Sequence, residues 1–248
     1  GQPWIGITSQ TANQAEINLV ESNIQKSIVD FSISGYYLNK VNTGSGDSYT
    51  ISVPGGTPVL RAGSPDVPKL TASVIIPDMA QMNVRVLYSD FIEVNNISIA
   101  PSKGNLFRDV DPASVPYTFG KEYQENTFFP GITADLRDPY ILRHYRGQTI
   151  VVYPFAYNPV TGTLRIYTHI QVEVYASSQA GINTFSREGF PVKIDAEFAD
   201  IYQSHFLNAN QLDNPPLGEY GRMLVISHGN YLDAIQPLVD WKNSMGIE

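Results

Sequence analysis

Four histidines and a scatter of carboxylates are the groups in this 248-residue chain that could do chemistry, because it contains no cysteine. That absence removes disulfides, thiolate metal ligands and a cysteine nucleophile together. His144, His169, His205 and His228 fall in unrelated stretches without paired ligand spacing, so no metal and no cofactor is expected. Ser227-His228-Gly229 closes an apolar run, the place where α/β folds carry active-site residues, although the plain reading is a strand end. Asp109, Asp111, Asp135 and Asp138 match no calcium-loop spacing and read as solvated loop carboxylates. Asn96-Ile97-Ser98 fits the glycosylation pattern, which has meaning only on a eukaryotic secretory route. Tyr36, Tyr37, Tyr117, Tyr123 and Tyr140 could stack on sugars, but aromatic residues in such a chain serve first as core and strand residues.

The elements that must position these groups are mostly strands. Leu164, Ile166, Thr168, Ile170, Val172 and Val174 alternate with Arg165, Tyr167, His169, Gln171 and Glu173, the period of a half-buried strand. Similar alternation places strands near 16–20, 29–34, 49–53, 72–76, 83–88, 93–99, 141–145 and 148–155, separated by Gly-, Pro- and Asn-rich turns. The compact turn Asn158-Pro159-Val160-Thr161-Gly162 predicts a long antiparallel hairpin joining 148–155 to 163–174. Many strands without alternating helices predict an all-β antiparallel sandwich, jelly-roll-like or barrel-like. Residues 110–138, broken by Pro112, Pro116, Pro130 and Gly131, read as a long irregular excursion of functional character.

Beyond Phe185 the pattern changes. Phe198, Ile201, Tyr202 and Phe206 predict one amphipathic helix within 195–207, and Pro215-Pro216 marks a linker over 208–220. Arg222-Met223-Leu224-Val225-Ile226-Ser227 then reads as a buried parallel strand. Ala234, Ile235, Leu238, Val239 and Trp241 form a helical stripe after it. The expected organisation is a sandwich domain over 1–207, a linker over 208–220, and one βα unit of a truncated α/β domain over 221–248. Such a unit cannot cover both its faces alone, so its apolar side is expected to pack on the sandwich or a neighbour.

Sixteen Lys plus Arg against 24 Asp plus Glu leave a net charge of −8, with no basic block to neutralise a run of phosphates, so nucleic acid is not an expected partner. No apolar run reaches the roughly 18 residues needed to span a bilayer, and no transmembrane segment is expected. Gly1-Gln2-Pro3-Trp4 has neither the charged nor the apolar part of a signal peptide, consistent with a start after a removed signal.

Several blocks resemble the pro-domain of gingipain-type cysteine peptidases. They are Gly56-Thr57-Pro58-Val59-Leu60; Phe91-Ile92-Glu93 through Ile99-Ala100-Pro101-Ser102-Lys103-Gly104; Phe128-Phe129-Pro130-Gly131; Asp138-Pro139-Tyr140-Ile141-Leu142-Arg143 with Arg146-Gly147-Gln148; and Tyr157-Asn158-Pro159-Val160-Thr161. Gly221-Arg222-Met223-Leu224-Val225-Ile226 and Val239-Asp240-Trp241-Lys242-Asn243 resemble the first strand and helix of the family's caspase-like catalytic domain. The resemblance implies a pro-domain that keeps a secreted cysteine endopeptidase latent and assists its folding, its partner being that catalytic domain. It also implies a location outside the cell or at its surface, reached through the periplasm of a Gram-negative bacterium. The family's catalytic His and Cys lie beyond Glu248, so this chain is expected not to be an enzyme. A stand-alone cell-surface module binding glycans or protein is the alternative.

The resemblance further implies a substrate-like inhibitory loop. The segment expected to supply it is Phe128-Phe129-Pro130-Gly131-Ile132-Thr133-Ala134-Asp135-Leu136-Arg137-Asp138-Pro139. Arg137 is its one basic residue and the expected anchor, unless it simply pairs with Asp135 or Asp138. A basic activation junction is not expected, since no Lys or Arg lies between Lys193 and Arg222.

Overall fold

The computed structural model describes residues 3–186, 196–211 and 223–244. Two compact units divide at Phe185 and Ser186, about twenty residues before the expected domain boundary at 207.

The first unit is antiparallel β throughout its sheets. One sheet contains β2 (Glu16–Ser22), β3 (Lys26–Ser32), β8 (Ala80–Val94), β12 (Phe155–Asn158) and β13 (Thr163–Ala180). β13 is its spine: β8 runs along one side, while β12 and β3 share the other end to end. The alternation read from the sequence holds here, because Leu164, Ile166, Ile170, Val172 and Val174 are all buried against one face of a pleated strand.

The second sheet contains β6 (Thr57–Pro58), β7 (Pro68–Ile75), β9 (Ala134–Leu136), β10 (Tyr140–Leu142) and β11 (Tyr145–Val152). β11 pairs with β7 on one side and with β9 and β10, placed end to end, on the other. Nearly every residue of β11 is buried, as befits a central strand, so it lacks clean alternation. Val29, Phe31, Leu70, Val74, Ile150 and Val152 are core residues of these two sheets. A third sheet joins β1 (Trp4–Gly6), β4 (Gly35–Asn42) and β5 (Asp47–Ser52).

Three expectations change. The long hairpin from 148–155 to 163–174 does not form; the chain leaves the second sheet at Tyr153-Pro154, and only Phe155–Asn158 pairs with β13. Proline lacks the donor that would have continued the ladder. The strand expected at 83–88 and the start of the one expected at 93–99 are a single strand, β8, which ends at Val94 and has a register shift between its partners Gln171 and Val172 that leaves Leu87 as an extra residue; of the rest of 93–99 only Ile99 makes a β-bridge, to Tyr49. Residues 134–136, expected to be irregular, are β9.

Arg146 is fully buried in β11. Its Nε donates to Asn183 O (3.0 Å), Nη1 to Pro77 O and Ala80 O (2.7 and 2.8 Å), and Nη2 to Ile182 O (2.7 Å). One guanidinium thus ties the start of β8 to the end of β13. Gly181 is required beside it, since a Cβ there would stand 2.6 Å from Ala80 O and 2.6 Å from Arg146 Nη2.

In the second unit, α1 (Ala196–His205) matches the expected helix, with Tyr202 and Phe206 buried. α2 (Leu232–Ser244) also forms, with none of its residues buried. Met223–Ser227, expected as a parallel strand, has no sheet pairing among the described residues. Leu224 and Ile226 are 84% and 87% exposed. A strand of that kind exists only with neighbouring strands to receive its N–H and C=O groups. The expected linker, apart from a short turn at Ala209–Gln211, lies outside the described residues, as does the stretch between Lys193 and Ala196.

Candidate functional site

Segment 128–139 runs along the edges of both main sheets and is fastened over much of its length. Phe128 lies against Arg165, whose guanidinium sits 4.2 Å from its ring centre and 4.4 Å from that of Phe91. Glu93 Oε1 accepts from Arg165 Nε and Nη2 at 3.0 and 2.8 Å, which fixes that stack. Phe129 and Tyr157 exchange two backbone hydrogen bonds of 2.8 Å. Tyr153 N–H donates to Thr133 O at 2.9 Å, and β9 then pairs Ala134, Asp135 and Leu136 with Val152, Val151 and Ile150. The Asp135 carboxylate accepts from Leu136 N–H at 2.9 Å. At the far end Asn183 Nδ2 donates to Pro139 O at 2.9 Å.

Arg137 occupies the gap between β9 and β10. Its N–H donates to Thr149 O at 2.9 Å and its C=O accepts from Gln148 Nε2 at 2.8 Å, so its main chain is fully engaged. Its side chain is exposed. Among the described residues the guanidinium makes no ion pair with Asp135 or Asp138. Its charge is felt by Lys69, whose ammonium is pulled below the ordinary lysine range by burial first and by Arg137 second. Ile132, also in the segment, is exposed.

A second exposed loop, not singled out by the sequence reading, lies at 103–115. Gly104 opens it with φ +80, where a Cβ would meet Ala62 Cβ at 2.9 Å; only glycine suits both the left-handed backbone and the close approach. Lys103 Nζ donates across the base to Pro112 O at 2.7 Å and sits 4.3 Å over the Tyr117 ring. Asp111 caps the turn Pro112–Ser114, accepting from Ala113 N–H at 2.9 Å. Between these fastenings Phe107 is 82% exposed and Arg108 is exposed beside it. Phe107 O receives Val110 N–H at 3.1 Å, but no strand pairs with this loop among the described residues. The signals that could have found it are Gly104 at one end and the Asp111-Pro112 cap at the other.

The base of this loop is anchored by Ser102 N–H to Ser64 O (2.8 Å), Gly63 N–H to Ser102 O (2.9 Å) and Asp66 N–H to Ala100 O (2.9 Å). Burial pushes the Asp66 carboxyl up to about 6. Tyr123 O–H donates to Ile99 O at 2.8 Å, and burial holds its phenol above the usual range.

The histidines are dispersed as expected. His144 is buried; His169 faces Asp30 at 3.3 Å and stacks on Tyr88; His205 packs on Phe206. His228 is exposed, and its Nδ1 accepts from Asn230 N–H at 3.3 Å, which gives the Ser227-His228-Gly229 triplet a capping role. No cluster of three potential metal ligands occurs among the described residues. Asp109 and Asp111 are exposed. Asn96 takes φ +58 in a turn. Tyr36 packs on Phe155 and Tyr37 on Trp4, so these aromatics are structural, as read. No described helix is long and apolar enough to cross a membrane.

The family profile described as Propeptide_C25 matches residues 8–206. The chain belongs to this family. Relatives of the Propeptide_C25 chain include gingipain R1 of Porphyromonas gingivalis, 39% identical over 243 residues that make up 96% of this chain and 24% of the relative. Gingipain R2 of the same species is 37% identical, with 96% and 32% covered. The Propeptide_C25 chain therefore spans about a quarter to a third of the length of these relatives. Among solved structures, a chain from the complex of the P. gingivalis RgpB pro- and mature domains matches with TM-score 0.73 at 39% identity, covering 78% of this chain and 97% of that one. A gingipain K structure concerned with zymogenic latency matches with TM-score 0.60 at 20% identity, covering 72% and 100%, and shows the shared fold.

Proposed function

We infer that this chain is the pro-domain of a secreted gingipain-type cysteine endopeptidase, and that it assists the folding of its catalytic domain and holds it latent. The reading is carried by its likeness, at 39% identity and over 97% of the matched chain, to a chain of the RgpB pro- and mature-domain complex. The partner is the cognate catalytic domain, to which the helix α2 belongs as its first helix. The location is outside the cell or at the cell surface, reached through the periplasm. The chain itself, with no cysteine, supplies no thiol nucleophile.

Latency of this kind requires a segment that fills the protease cleft with a substrate-like side chain. Segment 128–139 with Arg137 is one contact. Because the Arg137 N–H and C=O are already used within the sheet, it meets the enzyme through its side chain. A specific observation favours a second contact. Loop 103–115 is closed at its base and presents Phe107 and Arg108 to solvent at the tip of a turn closed by Val110 N–H on Phe107 O, so the Arg108 side chain projects where a cleft can receive it. Its fastened ends lower the entropy lost on docking.

The test is the inhibition constant of the chain against its separately prepared peptidase, for wild type, Arg108→Ala and Arg137→Ala at unchanged melting temperature. Loss of a pocket-filling anchor costs about 2 kcal/mol or more, roughly thirtyfold in the constant; a rim contact changes it little. No inhibition by the wild-type chain would overturn the latency role and favour a surface-binding module.

A further inference from the structure

β8 is an edge strand of fifteen residues, and among the described residues it forms a ladder only with β13. Val86, Leu87, Tyr88, Phe91 and Ile92 are each 40–49% exposed on it. Val86 and Ile92 lie opposite the buried Val172 and Ile166, so they belong to the core side of the sheet and are still uncovered. Long apolar edges are templates for another strand.

We propose that the open edge of β8 pairs antiparallel with β8 of a second copy of this chain, on a two-fold axis through Ser89. The order of residues is self-complementary about that point. Val84 meets Val94, Arg85 meets Glu93, Val86 meets Ile92, Leu87 meets Phe91 and Tyr88 meets Asp90, each twice. Faces agree as well as chemistry: Arg85 and Glu93 both lie on the outer side, opposite Glu173 and Arg165, and Val86 and Ile92 both on the core side. The charged groups have capacity left. Arg85 uses its Nε on Glu173, leaving both terminal nitrogens, and Glu93 receives Arg165 on Oε1 alone, leaving Oε2.

Neighbouring registers fail. Moving the axis one residue onward sets Asp90 against Asp90 and Leu87 against Glu93; moving it one residue back sets Val86 against Asp90 and Arg85 against Phe91. A shift of half that amount flips one face against the other. Eleven residues from each copy make a ribbon of about 37 Å, below the roughly 20 to 30 residues per side of a standard interface. The association is therefore weak, with half-dimerisation in the micromolar range and reversal on dilution.

Sedimentation equilibrium of the whole chain between 1 and 300 μM is the test, with Val86→Lys, Ile92→Glu and their equimolar mixture. Both positions are part-exposed, so the variants are expected to keep the wild-type melting temperature. The expected result is a dimer for wild type, at least tenfold weaker association for each variant alone, and recovery in the mixture, where the introduced lysine of one copy meets the introduced glutamate of the other. Wild type that stays monomeric at 300 μM overturns the proposal. Variants that associate like wild type, or a mixture that does not recover, overturn the register and with it the proposal. If Val86→Lys stays as monomeric as wild type but loses inhibition of the peptidase, the edge belongs to the catalytic domain, and the self-pairing is refuted while the latency role stands.

Discussion

Replacing Arg146 by methionine keeps much of the side-chain stem and removes the guanidinium from four carbonyls, those of Pro77, Ala80, Ile182 and Asn183. Each bond from a charged donor contributes about 1.5–3 kcal/mol net. The gain from no longer burying a charge offsets part of that sum, while the carbonyls left without a donor cost about 1–3 kcal/mol each where they stay buried. A loss of about 4 kcal/mol is expected for Arg146→Met, or about 8–16 °C in melting temperature for a unit of this size. Arg146→Lys keeps the charge but has three donors on one point, and reaches fewer of the carbonyls; about half the loss is expected. Burial lowers the pKa of this arginine while Asp78 works against the shift, so it stays charged and the effect is insensitive to pH between 5 and 8. Urea unfolding followed by circular dichroism gives the midpoint and slope for all three proteins. A loss below about 1 kcal/mol for Arg146→Met, with the slope unchanged, would refute the assignment of Arg146 as the clasp between β8 and β13.

Three further outcomes are expected. Asp66 has a folded pKa raised by burial to about 6 against about 4 unfolded, so its contribution is fully present below pH 4 and lost as pH rises through 6. With the ceiling of about 3 kcal/mol reduced by partial solvent contact, Asp66→Asn should gain about 1–2 kcal/mol relative to wild type between pH 4 and 7.5; a pH-independent difference in urea midpoints contradicts this. Gly104→Ala, at φ +80 and 2.9 Å from Ala62 Cβ, should cost about 1–2 kcal/mol and weaken inhibition through loop 103–115. Arg165→Ala removes the cation from between Phe91 and Phe128 and should cost about 1–2 kcal/mol, with faster amide exchange at Phe129 as the local readout; unchanged exchange there would show that Phe128 needs no such anchor.

Local pattern was enough for the antiparallel β class and for β13, because Leu164 to Val174 alternate and a pleated strand reads out that alternation whatever it pairs with. It was also enough for α1 and α2, whose apolar stripes repeat at the helical period, and for the dispersal of the four histidines. The family was legible in blocks such as Ile99-Ala100-Pro101-Ser102-Lys103-Gly104. Tertiary structure decided what depends on a distant partner. Residues 148–155 read as one strand in sequence, yet Gln148–Val152 pair within the second sheet and Phe155 pairs with β13, because Tyr153-Pro154 interrupts the ladder. Ala134–Leu136 are too few to show a period and become a strand only because β11 has an edge to cover. Met223–Ser227 have every local mark of a strand and form none among the described residues, since no neighbouring strand receives them. The same dependence governs the site: Arg137 and Arg108 are equivalent as exposed basic residues in Pro-containing segments, but Thr149 and Gln148 occupy the backbone of the first and leave that of the second free. Side-chain period is a local property of the chain, whereas hydrogen-bond partners are chosen by packing between residues far apart in sequence.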